Sequence, residues 1–89
     1  GATELHLPKD SPAIHRHHAN WRQQALAQMH SDHADQDLHY SSVSSLTEAD
    51  AQKIKGLLTQ AISDAVKIIK ISSEEQLVGI NVDLFRVDD

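Results

Sequence analysis

Seven histidines and no cysteine in 89 residues decide which chemistry to ask about first. His15, His17 and His18 form an HxHH cluster, in which His15 and His18 have the i, i+3 spacing that puts two imidazoles on one helix face. His30 and His33 repeat that spacing beside Asp32 and Asp35, and His6 and His39 complete the set. Imidazole and carboxylate at this density suit zinc, nickel or copper, which makes His15, His18, His30 and His33 the metal-ligand candidates. Against them, no HExxH pattern occurs and no spacing fixes a third ligand; histidines on a surface helix are ordinarily solvated. The expectation is therefore no metal and no cofactor, with a metal-responsive module as the alternative. His18 stands apart because it shares an apolar helix face with Ile14 and Trp21, where a hydrogen-bonded, partly buried side chain is expected.

Catalytic constellations are weaker. Ser41, Ser42, Ser44 and Ser45 are not flanked by the glycines of a nucleophile elbow. The carboxylate pairs Glu74–Glu75 and Asp88–Asp89 fall in polar, solvated stretches, and Gly1, Gly56 and Gly79 are too scattered for a phosphate loop. The motif inventory points away from an enzyme.

These residues need elements to hold them, and the plainest element is the stretch from Thr47 to Ile71. Ile54, Leu57, Leu58, Ala61, Ile62, Ala65, Val66, Ile68 and Ile69 recur at the spacing of one helical face, with Gln52, Lys53, Lys55, Thr59, Gln60, Ser63, Asp64, Lys67 and Lys70 opposite. Thr47 is a suitable N-cap; Glu48 and Asp50 suit the positive end of the helix dipole, and Lys67 and Lys70 the negative end. A first helix over about 11–30 is expected to start at Ser11 and Pro12, and to carry Ile14, His18, Trp21, Ala25 and Met29 on one face. Ser31 to Gln36 reads as an acidic loop.

Two strands are expected to complete the fold. Residues 38–46 alternate Leu38, Tyr40, Ser42, Ser44 and Leu46 against His39, Ser41, Val43 and Ser45; residues 77–87 place Val78, Ile80, Val82 and Leu84 on one face, with Gly79 tolerated at a bulge. The fold class expected is α+β: a two-layer helix-strand-helix-strand module whose long amphipathic helix lies on a small sheet, over residues 11–89. Residues 1–10 read as an N-terminal arm, linker or expression scar in which Leu5 and Leu7 could add an edge strand. Two strands are marginal alone, so the sheet is expected to be completed by that arm or by a second chain. Strand direction stays open, with a right-handed parallel crossover the favoured form.

Composition narrows the partners. A chain of this length buries only roughly 60–65% of its unfolded surface, and Trp21, Tyr40 and Phe85 are its only aromatic residues of the Phe, Trp and Tyr types. The formal charge of −5 argues against a free-standing nucleic-acid binder. No apolar run reaches the length of a membrane span, and no signal peptide is visible. The chain opens on Gly1 without an initiator methionine, which reads as a fragment with an N-terminal neighbour.

The segments IHRHHANWRQQAL, YSSVSSLTEADAQKIKGLLTQAISDAV and LVGINVDLF together resemble the C-terminal domain of an uncharacterised bacterial family whose longer members carry a predicted helix-turn-helix region upstream. The likeness spans about residues 12–87. It rests on the histidine-rich lead into a helix at His15 to Arg22, the serine-rich stretch running into a capped helix, and the ending Asn81, Val82, Asp83, Leu84, Phe85. Arg86 stands where the family ending often continues with proline. The resemblance implies a cytoplasmic, non-catalytic regulatory and dimerisation domain of a transcription-regulator-like protein, without nucleic acid or membrane as a partner of this segment. In that reading the chain is a homodimer and could take a small effector or protein partner. His18, Trp21 and Tyr40 are the candidate pocket lining, and Ile68, Ile69 and Phe85 the candidate interface. A pure protein-partner interaction domain is the remaining alternative.

Overall fold

Thr47 sets the longest element in place. In the computed structural model, which describes residues 13–32 and 34–88, its backbone is extended (φ −72°, ψ 157°) and its hydroxyl accepts the Asp50 N–H at 3.1 Å. Its carbonyl accepts the Ala51 N–H at 3.0 Å. The cap thus satisfies a first-turn donor that would otherwise lack a helical partner. Helix α2 then runs Glu48–Ile71, 24 residues, with Glu48 and Asp50 in its first turn and Lys70 in its last. It ends where Ser72 turns extended and donates its N–H to the Ile69 carbonyl at 3.3 Å.

Helix α1, Ile14–Gln28, is less well specified. No side chain caps its N-terminus at Ala13, its first turn holds no acid and its last turn no base. The expected start at Ser11 and Pro12 lies outside the described residues. At its far end the bonds tighten to i, i+3: His30 donates to Ala27 at 3.2 Å and Ser31 to Gln28 at 3.1 Å. The expected loop that follows contains a short 3-10 helix, Ala34–Gln36.

The two expected strands are not formed. Among the described residues there is no strand, and these residues make an all-α chain, not the α+β module with a long helix packed on a small sheet. The reason lies in what alternation can and cannot specify. Strand preference is a preference for a pleated, half-buried surface next to a neighbour, and an extended segment without one gains no ladder. Leu38 is 92% exposed and Leu77 89%, with Tyr40, Val43, Val78, Ile80, Phe85 and Val87 exposed as well. Gly79 accordingly sits in no bulge, and the expected arm strand at Leu5 and Leu7 lies outside the described residues.

The chain divides into two groups that pack internally. One comprises α2 within Ser44–Leu77 together with 82–88; the other comprises α1 within 13–43 together with Val78–Asn81. The segment expected to be a single final strand is thus shared out between the two. In the first group Ala51, Ile54, Leu58, Ala65, Val66 and Ile69 are half-buried, and no α2 residue is fully buried. In the second, the Asn81 side-chain amide donates from Nδ2 to the Trp21 carbonyl at 3.1 Å, and Ile14, 8% exposed, is the one buried hydrophobic side chain among the described residues. No described helix is long and apolar enough to cross a membrane.

Candidate functional site

The histidines of α1 do not converge. His15 and His18 are exposed, His17 is half-buried, and the rings of His17 and His18 lie 5.8 Å apart at a tilt of 56°. Consecutive residues on a helix point about 100° apart, so this is neighbour contact and not a shared ligand geometry. His30 is exposed at the other end of α1, and His33 lies outside the described residues. Among the described residues no three His, Asp or Glu side chains come together to hold an ion. His39 meets a carboxylate, its Nε2 standing 3.8 Å from Asp37 Oδ2 at an exposed position.

His18 is not the partly buried histidine its place beside Ile14 and Trp21 suggested. The half-buried positions of α1 are instead His17, Arg22 and Ala25. Arg22 Nη1 donates to the His18 carbonyl at 3.0 Å, an i, i+4 bond that lays the guanidinium along the helix. With so few apolar residues on α1, the face that turns inward is decided by Ile14 and by the long stems of polar neighbours. Trp21 is 37% exposed, and Tyr40 is exposed in the irregular segment that follows. These three pocket candidates belong to one packed group.

The interface candidates lie in the other group. Ile69 is half-buried, while Ile68 and Phe85 are exposed. Their neighbours show a pattern that the broad apolar face of α2 conceals. Ile54, Leu57, Ala61, Asp64, Ile68 and Ile71 are spaced alternately three and four residues apart, the spacing of a coiled-coil seam. Beyond Ile54, which is half-buried, every member of this line is exposed, and Ile71 reaches 85%. Half of the apolar arc of α2 is thus partly covered within its own chain, and the other half is bare. The line was readable from the sequence, but it stood inside a longer run of apolar positions.

On its polar side α2 carries a shallow open depression lined by Gln52, Lys55, Gly56, Thr59, Gln60 and Ser63. Gly56 lies in it, and a Cβ at that position would meet nothing within 4 Å. Thr59 Oγ1 donates to the Lys55 carbonyl at 2.7 Å and Gln60 Nε2 to Asp64 Oδ1 at 3.0 Å. Thr59 and Gln60 thus bond along their own helix.

In comparison with known proteins, residues 2–87 match the family model described as a domain of unknown function, DUF4423. No curated protein and no solved structure matches the chain.

Proposed function

From the premise that the chain belongs to this family of domains of unknown function, DUF4423, we propose that it is a non-catalytic regulatory domain that acts by self-association. The observation that carries the proposal is the imbalance between apolar residues and core. Leu57, Ile62, Ile68, Ile71, Leu77, Val78, Ile80 and Phe85 are all exposed while a single hydrophobic residue among the described ones is buried. Exposed apolar surface on this scale marks an interaction surface, since a domain of this size has too small a core to leave it unused. The resemblance to regulator C-terminal domains adds the context: a cytoplasmic protein with an upstream helix-turn-helix, in which this acidic segment contributes pairing and not DNA contact. A function held in a surface and not in a reactive constellation also fits the scattered histidines and serines.

The mass of the chain in solution tests this, measured by light scattering from low to high micromolar concentration with and without zinc. A dimer indifferent to zinc is the expected result. A monomer throughout overturns the proposal, and a mass or melting temperature that responds only to zinc transfers the function to the histidines.

A further inference from the structure

We infer that the bare line on α2 is the contact between two copies of this chain, with their α2 helices antiparallel and Lys53 of each beside the partner's Asp64. This rests on the self-association proposed above and names its surface. The seam is Leu57, Ala61, Ile68 and Ile71, on a helix that 24 residues make about 36 Å long. Its three-four spacing is that of helices pairing side by side, and a second copy carries the same spacing on the same length.

The charges along the seam decide the direction. Asp50, Lys53, Asp64 and Lys67 all lie on or next to the bare side, and all four are exposed. In a parallel pair Asp64 faces the partner's Asp64 across the seam, and Asp50 faces the partner's Asp50, so like charges meet. In the antiparallel pair one register places Lys53 beside the partner's Asp64 and, by the same offset, Asp50 beside the partner's Lys67. Within the chain Lys53 Nζ already stands 3.6 Å from Asp50 Oδ1. The pairing therefore lines up the partner's Lys67, Asp50, Lys53 and the partner's Asp64, alternating in sign, along each side of the seam. To within one residue, the same register sets Leu57 against the partner's Ala61 near the centre. It also brings Ile71 to the partner's Leu46, which is exposed just before the Thr47 cap. The opposed helix dipoles favour the same direction.

Charge reversal tests the contact. Lys53→Asp puts two carboxylates together at two symmetric places, and the dimer dissociation constant is expected to rise about tenfold; adding Asp64→Lys restores the pairs with exchanged sign, bringing it back to within about threefold of the parent. Both positions are exposed, and the helical circular dichroism signal checks that each variant folds. The absence of cysteine supplies a second readout. Chains carrying Leu46→Cys and chains carrying Ile71→Cys are expected to crosslink when mixed and not when kept apart. Crosslinking of Ile71→Cys with itself indicates a parallel pair and overturns the inference. So does a dimer whose constant is unmoved by Lys53→Asp, or one that the second reversal fails to restore; in these cases self-association stands and only its surface is wrong. A parent chain that is monomeric at every concentration removes both.

Discussion

Gly56 is the residue whose replacement has the most direct expected outcome. It sits inside α2, where glycine costs backbone entropy relative to alanine, and the space its side chain would take is open. Gly56→Ala is expected to raise stability by about 0.5–1 kcal/mol, read from the midpoint of urea unfolding. The position lies on the polar side of α2, away from Leu57, Ala61 and Ile68, so the variant should associate as the parent does. The histidines teach the opposite lesson at this scale. Their spacing was legible, but spacing places two side chains on one helix face and says nothing about a third, and in the structure His15, His18 and His30 remain apart and exposed. His18 and His17 exchanged their expected places because one buried isoleucine is a weak constraint on which way a helix turns.

At the scale of elements, α2 and the two missing strands received equally regular patterns and met different outcomes. The helix needs only its own backbone to satisfy its hydrogen bonds, and Thr47, Asp50 and Lys70 mark its ends locally, so periodicity and capping suffice to read it. A strand borrows its bonds from another segment, and no local signal in 38–46 or 77–87 says whether that segment exists. Alternation at Leu38, Tyr40 and Ser42 was consistent with a pleated face and did not require one. This difference has a measurable consequence at Val43, which is exposed in a segment without ladder bonds. Val43→Ala is expected to leave stability within about 0.5 kcal/mol of the parent in chemical denaturation, where a valine on the covered face of a sheet would cost more. Of the interface candidates, Ile69 is half-buried while Ile68 and Phe85 are exposed, and the three-four line through Leu57 and Ile71 separates the bare side of α2 from the covered one.

For the whole molecule, stability should depend on concentration. A chain that associates as proposed above unfolds by a reaction whose midpoint moves with protein concentration. The melting temperature is expected to rise by about 3–6 °C for each tenfold increase in concentration, checked by calorimetry over a hundredfold range; a midpoint independent of concentration would mean that each chain holds itself together. Family membership covers the chain from residue 2 to residue 87. The function proposed for it is carried by a surface, and surfaces are the part of a protein that sequence patterns describe least, because a bare apolar face and a covered one are spelled with the same residues.

The bond from Asn81 to the Trp21 carbonyl joins positions 60 residues apart. During synthesis α1 leaves the ribosome before α2, but the amide that clasps it emerges only after α2 is complete. By then α2, which lies between the two in sequence and forms from local bonds, has had time to coil. The order of assembly is therefore set by translation: the long helix coils first, and α1 is fastened only after it.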